Sequence, residues 1–267
     1  MEPSPGWYRP VSPRELWGYR EVALALARRQ LQARYKQTAL GVSWVALQPL
    51  LGVAIFSVVF GQLVGMPSDG LPYPLFVFVG LMVWSYFSLA VDAATRGLVD
   101  DRELVTKTYF PRLLSPISAV IPPLADLAVS LLVLPGLMVV YSLTPSPAVI
   151  ALPALVVALV ALALAVGLWL SALYVQFRDV GHGLGTLLQL WLFASPVVFP
   201  SSLADGRWRY LLAANPITGL IDGFRWSLLG APAPVAADLL SVAVGVGLLA
   251  SGIAYFQRLE RRFADLI

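Results

Sequence analysis

The chain has 267 residues, of which 58% are hydrophobic and only 12% are charged, and its mean hydropathy is +0.78. A soluble domain carries about 45–50% apolar and about 25% charged residues, so this composition argues against a soluble enzyme, a disordered chain and a nucleic-acid-binding domain. It predicts a protein that is embedded in a lipid bilayer.

Six runs of mostly apolar residues are candidates for membrane-spanning helices, each of which needs about 20 residues. In chain order the runs are 43–64, 73–94, 113–140, 148–173, 184–199 and 235–256. The third run is interrupted by Pro116, Pro122, Pro123 and Pro135, and the fifth is short. We therefore predict an all-α membrane protein in which residues 43–257 form one domain of six transmembrane helices.

The basic residues indicate which side of the membrane each connection occupies. Fifteen of the 18 Lys and Arg residues precede the first run, follow the second or the fourth, or lie in the tail, whereas Arg207, Arg209 and Arg225 follow the fifth. Basic residues concentrate on the cytoplasmic side of membrane proteins. We therefore predict that residues 1–42 and the tail 258–267 are both cytoplasmic.

The N-terminal segment has the pattern of an amphipathic helix. Ser12, Pro13 and Glu15 are typical of a helix start, where they supply an N-cap, a first-turn proline and a capping box. Downstream, charged residues such as Arg28 and Lys36 fall on one face, and apolar residues fall on the opposite face. This pattern favours a helix that lies along the cytoplasmic membrane interface. A fully solvated helix is the alternative.

The loop 96–112 follows the second run and carries both acidic and basic residues around Val99 and Leu104. A short segment of this kind is typical of a helix that docks its apolar side into a groove of a partner protein. We therefore predict a docking helix on the cytoplasmic side. A plain solvated loop is the alternative on composition alone.

Residues 203–230 form two short apolar segments, 203–213 and 217–229, and neither is long enough to span a bilayer. Asn215-Pro216 separates them, because the residue before a proline disfavours helical geometry. We predict a re-entrant hairpin on the outer side. Such a hairpin is tolerated at membrane depth only where it is buried in protein or lines a wet cavity. It is therefore a candidate gate, and two helices lying flat on the outer surface are the alternative.

Catalytic chemistry is poorly represented in the chain. Its only lysines, Lys36 and Lys107, do not follow a glycine, so it lacks the Gly-Lys-Ser/Thr loop that binds ATP phosphates. It has no cysteine and one histidine, His182. We therefore predict no catalytic residues, no metal site and no cofactor on this chain.

Three charged residues lie within apolar segments and need an explanation, because a charge at membrane depth is energetically costly. Asp126 lies within the third run, where we favour a buried hydrogen bond between helices over a proton relay. Asp222 and Arg225 are three residues apart, so they could pair on one helix face. Alternatively, Arg225 could meet an anionic cargo.

Aromatic residues are abundant and many of them lie at the ends of the apolar runs. An interfacial aromatic belt explains most of them. Some could instead line a channel and stack on sugar rings. The sequence does not separate these two groups.

Five motifs follow one another in a fixed order along the chain. They are RYKQTALGVSWVALQPLL at 34–51, Tyr109-Phe-Pro-Arg112, Phe177-Arg-Asp-Val180, Ser195-Pro-Val197, and Asn215-Pro-Ile217 with Phe224-Arg225. This series resembles the permeases of type-2 ABC exporters that move polysaccharides and polyol phosphates. The resemblance covers residues 15–257, which is nearly the whole chain.

The resemblance implies the assembly in which the chain works. It implies a homodimer in the bacterial cell (inner) membrane, bound to two separate ABC ATPase subunits that carry the ATP and Mg. It implies a lipid-linked polysaccharide as cargo, such as O-antigen, capsular polysaccharide or teichoic acid. Membrane lipid would be a further partner, and nucleic acid would not.

The resemblance also implies three sets of site residues. For coupling to the ATPase we predict Val99, Asp101, Leu104, Lys107, Tyr109, Phe110 and Arg112 in the loop 96–112. For entry of an anionic lipid head group at the cytoplasmic rim we predict Arg28, Arg29, Arg34 and Lys36. For the channel or gate we predict Trp84, Tyr86, Phe193, Asn215, Pro216, Phe224 and Arg225.

Other functions remain open at this point. An exporter of a smaller lipid or drug would have the same architecture. A membrane-embedded enzyme acting on lipid-linked sugars would need a cluster of catalytic acids or an acid–histidine pair, which the chain lacks. A scaffold without transport activity would need neither a docking helix nor a re-entrant hairpin.

Overall fold

The computed structural model describes residues 17–35, 42–100 and 111–260, and all regular secondary structure in these ranges is helical. Four helical stretches among them are long and apolar enough to cross a membrane: Tyr73–Asp100, Leu114–Val140, Pro147–Gln176 and Asp238–Leu259. They correspond to the second, third, fourth and sixth predicted runs. The first and fifth runs form shorter helices. The prediction of an all-α membrane protein is therefore confirmed, and the count of six spans stays a prediction.

Ten α-helices lie within the described ranges. They are α1 (Arg20–Tyr35), α2 (Val42–Phe56), α3 (Tyr73–Asp100), α4 (Leu114–Ala119), α5 (Pro123–Val140), α6 (Leu152–Gln176), α7 (Asp179–Phe193), α8 (Arg207–Ala213), α9 (Thr218–Leu229) and α10 (Asp238–Leu259). A π-helical segment, Ser57–Leu63, continues α2, and 3-10 turns occur at Pro147–Ala151 and Ser201–Leu203.

Helix α3 is the centre of the fold. It packs against α2, α4, α5, α6 and α9, and 18 of its 28 residues are buried. Its packing against α6 is close, because a Cβ atom added at Gly167 would lie 2.5 Å from the Cβ of Ala94. Small residues allow helix backbones to pack this closely in membrane proteins. Helix α6 in turn packs against α10.

Two helix boundaries differ from the predicted runs for identifiable reasons. Helix α3 continues to Asp100 rather than ending at residue 94, and Arg96 in this extension pairs with Asp92 at 2.9 Å and donates to the carbonyl of Gly181 at 2.9 Å. The third run is divided into α4 and α5, because Pro122 and Pro123 have no N–H group to continue the helix.

Helix α1 has the amphipathic character that the sequence predicts. Ala23 and Leu26 are buried and form a small apolar cluster with Leu114 of α4, whereas Arg28 is exposed. The predicted helix start at residues 12–15 lies outside the described residues. Helix α1 is thereby attached to the start of the third apolar run.

Candidate functional site

Arg225 of α9 lies at the centre of the packing between α9, α3 and the segment that follows α7. Its guanidinium donates to the carbonyl oxygens of Phe76, Pro196 and Val197 at 3.3, 2.8 and 2.7 Å. Its Cζ atom lies 3.4 Å from the centroid of the Phe76 ring, and the side chain is only 2% exposed. Burial lowers the pKa of Arg225 to about 10, so the guanidinium stays charged at neutral pH.

Gly80 of α3 makes room for this arginine. A Cβ atom added there would lie 2.7 Å from the carbonyl oxygen of Val197 and 2.8 Å from Nη2 of Arg225. Any larger side chain would push the guanidinium away from its acceptors. The close approach of the α3 backbone to the backbone at Val197 therefore requires glycine at position 80.

A buried ion-pair network connects both arms of the segment 203–230 to α10. Arg209 of α8 lies 2.8 Å from Asp238 of α10 and 3.5 Å from Asp222 of α9. Asp222 also lies 3.8 Å from Arg225 and accepts a hydrogen bond from Ser201. Of the two alternatives that the sequence left open for Arg225, the structure shows the pairing with Asp222. Burial raises the pKa of the Asp222 carboxyl, while the hydrogen bond from Ser201 and the charge on Arg225 oppose the rise.

Asn215, which lies between α8 and α9, is held by the end of α7. Its Oδ1 accepts a hydrogen bond from the indole nitrogen of Trp191 at 2.9 Å, and its Nδ2 donates to Ser195 at 2.9 Å and to the carbonyl of Ala194 at 3.2 Å. The Trp191 ring packs edge-on against Trp84 of α3, with their centroids 6.4 Å apart. The turn between α8 and α9 is therefore joined to both α7 and α3.

The structure brings some of the residues predicted for the channel or gate together and separates others. Phe224 is fully buried in the same core as Trp84. Pro216 directly follows Asn215 in the turn. Tyr86 is buried elsewhere on α3, where its hydroxyl donates to the carbonyl of Val120 at 3.0 Å. Phe193 lies at the end of α7 and is 55% exposed.

Two of the residues predicted to contact an ATPase lie in the described ranges, and they flank the loop. Val99 packs at the edge of an apolar cluster formed by α3, α6 and α10. The amide of Arg112 donates to the Glu260 carboxylate at 3.0 Å, and its guanidinium donates to the Glu260 carbonyl at 2.5 Å. The remaining five lie outside the described residues: Asp101, Leu104, Lys107, Tyr109 and Phe110.

The residues predicted for substrate entry lie on or just after α1. Arg28 and Arg29 are exposed on the helix, and Arg34 is in its last turn. Lys36 lies outside the described residues. The exposed positions leave the two described guanidinium groups on the surface of the protein.

Arg209, Asp238 and Trp191 belong to the site, and the sequence did not single them out for it. A partial signal was available, because Asp238 stands in an otherwise apolar run and a charge at such a position predicts a partner. The identity of the partner depends on contacts between residues 29 positions apart, as between Arg209 and Asp238. The chain alone does not specify those contacts.

Long apolar helices pack around α3, and buried ion pairs connect the short helices α8 and α9 to them. This architecture defines a polytopic helical membrane protein. Residues 21–229 match the family described as "ABC-2 type transporter". This match covers more than half of the chain, so the protein belongs to the ABC-2 type transporter family and is a membrane permease.

Relatives with assigned names point in the same direction. The chain is 34% identical over 257 residues to the O-antigen export system permease protein RfbA of Myxococcus xanthus, covering 95% of this chain and 98% of the relative. It is 23% identical over 248 residues to a protein of the same name from Klebsiella pneumoniae, covering 92% of this chain and 95% of the relative. Both similarities extend over nearly the full length of each protein.

Proposed function

We propose that the protein is the membrane subunit of an exporter that moves a lipid-linked polysaccharide of the O-antigen class from the cytoplasmic side to the outer side of a bacterial inner membrane. The observation that carries the proposal is the 34% identity to an O-antigen export permease over 95% of the chain. Similarity of this extent includes the transmembrane helices and the connections between them.

The energy for export comes from separate ATPase subunits in this proposal. The chain has no phosphate-binding Gly-Lys motif, so it needs a partner that hydrolyses ATP. The loop 96–112 is the docking element. The packing of α1 on α4 and the hydrogen bonds from Arg112 to Glu260 support this role, because they fix the position of the chain directly after the loop. A homodimer with two ATPase subunits completes the assembly.

Six spans with both termini in the cytoplasm complete the proposed topology. Helix α2 and its π-helical continuation together cover residues 42–63, which is long enough to cross a bilayer. Helix α7 with the segment up to residue 199 forms the fifth span. The concentration of Lys and Arg before α2 and after α3 supports this orientation.

Residues 203–230 form a re-entrant outer gate in this proposal. Nine of the twelve residues of α9 are buried, and α9 packs against α3, α6 and α10. A helix lying flat on the membrane surface would bury one side only, so the packing of α9 favours the re-entrant arrangement. The hydrogen bonds of Asn215 and the ion pairs of Arg209 would then hold the gate closed.

The topology can be tested with single cysteines, because the chain has none of its own. A cysteine at Ser142 should react with a membrane-impermeant maleimide in intact cells. A cysteine at Asp100 should react only after the membrane is permeabilised. Labelling of Asp100→Cys but not of Ser142→Cys in intact cells would contradict the orientation.

The proposed function predicts a stable complex with an ATPase. The tagged permease, expressed together with a candidate ATPase subunit, should co-purify with it. ATP hydrolysis by the complex should increase when a lipid-linked polysaccharide is added. A permease that never co-purifies with an ATPase, or a complex that responds to no lipid-linked saccharide, would refute the proposal.

A further inference from the structure

The first turn of α7 is attached to the last turns of α3 through Arg96. Its guanidinium donates to the carbonyl of Gly181 at 2.9 Å, and its Nε donates to the Asp92 carboxylate, one turn back on α3, at 2.9 Å. A planar guanidinium holds two partners in a fixed geometry, so Asp92 orients Arg96 towards α7. Arg96 also lies where the loop 96–112, the proposed docking element for the ATPase, begins. The chain that enters this loop is therefore bonded to α7.

The same end of α7 fits closely against α6. A Cβ atom added at Gly181 would overlap the Tyr174 ring of α6. Arg178, directly before α7, lies over the same ring, with its Cζ atom 5.8 Å from the ring centroid. The start of α7 is thus held by contacts to the ends of both α3 and α6.

The opposite end of α7 is attached to the turn between α8 and α9. The indole of Trp191 donates to Asn215, and Asn215 donates to Ser195 just beyond the end of α7. Trp191 lies ten residues, or about 15 Å, along the helix from Gly181. A continuous helix is a rigid element that can carry a displacement over this length. Helix α7 therefore connects the start of the docking loop to the proposed gate.

The turn between α8 and α9 is also held from a second side, by α10. Ser241 of α10 donates to the carbonyls of Ala213 and Asn215 at 2.7 and 3.3 Å. Arg209 of α8 pairs with Asp238 at the start of α10. A shift of α7 relative to α10 must therefore break one of these two sets of contacts or carry the turn with it. The position of the turn thus depends on the position of α7.

We propose that α7 couples the docking loop to the outer gate, and that Arg96 is the positioning residue that joins α7 to α3. The proposal rests on the proposed export function and adds a mechanical connection to it. An ATPase bound at the loop displaces the end of α3, Arg96 transfers this displacement to α7, and Trp191 transfers it to Asn215. The turn between α8 and α9 then moves against its contacts with α10.

A single cysteine at Ala214 reports on the turn, because Ala214 is exposed and directly precedes Asn215. The Ala214→Cys permease is purified in lipid nanodiscs with its ATPase. Its reaction rate with a maleimide is measured without nucleotide and after trapping with ATP, Mg²⁺ and vanadate. The two rates should differ at least about fivefold, the lower end of the usual range of coupling between two sites.

Arg96→Met and Trp191→Phe each break one end of the connection. Arg96→Met removes the donor to Gly181, whereas Trp191→Phe removes the donor to Asn215 and keeps a ring packed against Trp84. Each variant should reduce the nucleotide-dependent difference about two- to tenfold, which corresponds to the loss of one hydrogen bond. The double variant should lose no more than the more affected single variant, because both changes act on one connection.

Two matched controls separate this role from a general loss of stability. Trp169→Phe also removes one indole hydrogen bond, to Ser251 at 3.2 Å, but between α6 and α10. Arg258→Met removes an exposed arginine from the last turn of α10. Neither control should reduce the nucleotide-dependent difference. The amount of ATPase bound to each permease is measured in the same preparations, and Arg96→Met should retain it.

Four results would overturn the proposal. They are an unchanged difference in Arg96→Met or Trp191→Phe, equal effects of these variants and their controls, a double variant whose loss is the product of the two single losses, and release of the ATPase from Arg96→Met. Failure of the connection can be distinguished from failure of the proposed function. If nucleotide changes the labelling of Ala214→Cys and neither variant alters that change, the function stands and the connection through α7 is wrong. A permease that binds no ATPase would refute both.

Discussion

Replacement of Arg225 by methionine is the most informative single perturbation of the fold. Methionine has a similar reach but removes the donors to the carbonyls of Phe76, Pro196 and Val197, all of which lie within 3.3 Å of the guanidinium. Phe76 lies within α3, so its carbonyl keeps the helical donor of residue 80, whereas the carbonyls of Pro196 and Val197 lose the Arg225 donor at a cost of about 1–3 kcal/mol each. Asp222 keeps its contacts to Ser201 and Arg209, so its carboxylate is not left without a partner.

The total expected cost of Arg225→Met is about 3–5 kcal/mol, which is the range found when one member of a buried charged pair is removed. For a chain of this size the loss corresponds to a decrease in thermal midpoint of about 10 °C. Arg225→Lys should be intermediate, because one ammonium group cannot reach three carbonyls as a planar guanidinium does.

The loss of stability in Arg225→Met can be measured by heating the purified protein in detergent and recording the fraction that remains monodisperse at each temperature. Arg207→Met is the matched control, since Arg207 is exposed and its Cζ atom lies 5.2 Å from the centroid of the neighbouring Trp208 ring. The control should cost no more than about 1 kcal/mol. If Arg225→Met and Arg207→Met lower the midpoint equally, the packing described for α9 is wrong.

Three further perturbations test other contacts. Gly167→Val should lower the free energy of unfolding by about 1–3 kcal/mol in thermal unfolding, because the valine side chain would push α6 away from α3. Gly183 has open space around its Cα atom, so Gly183→Ala should have little effect. Equal losses of stability in the two variants would contradict the close packing of α6 on α3. Asn215→Leu should cost about 1–3 kcal/mol by breaking three hydrogen bonds at the proposed gate; an unchanged rate of polymer export would argue against a gate there. Glu260→Ala removes the hydrogen bond from the Arg112 amide to the Glu260 carboxylate, which contributes about 0.5–1.5 kcal/mol. Amide hydrogen exchange in the peptide that contains Arg112 should therefore become about two- to tenfold faster. An unchanged exchange rate would contradict the contact between Arg112 and Glu260.

The helices could be predicted from hydropathy because a helix that crosses lipid needs about 20 consecutive, mostly apolar residues. Tyr73 begins α3 as the apolar pattern indicates. Of the four prolines that interrupt the third run in the sequence, only Pro122 and Pro123 divide it, whereas Pro116 and Pro135 lie inside α4 and α5. Hydropathy places the end of α3 too early. The charged residues Asp92 and Arg96 end the apolar run, but they pair with each other across one helical turn and the helix continues.

The candidate site was predictable only where its residues are close in sequence. Asp222 and Arg225 are one helical turn apart, so their pairing follows from the period of the helix. The partners of Arg225 on α3 and after α7 are up to 149 residues away. The ion pairs of Arg209 depend in the same way on α8, α9 and α10 meeting. A single sequence does not show in a readable pattern which helix faces pack together.

The most direct test of the proposed function is transport in sealed vesicles. The permease is reconstituted with its ATPase so that the ATPase faces outward, and a fluorescently labelled lipid-linked polysaccharide is added with ATP. We predict that the label becomes protected from an external glycosidase only when ATP is hydrolysed, and that the Asn215→Leu variant transports at a different rate from wild type. Protection that is independent of ATP, or no protection while the complex hydrolyses ATP, would contradict the assignment of this chain as the conduit for the polymer.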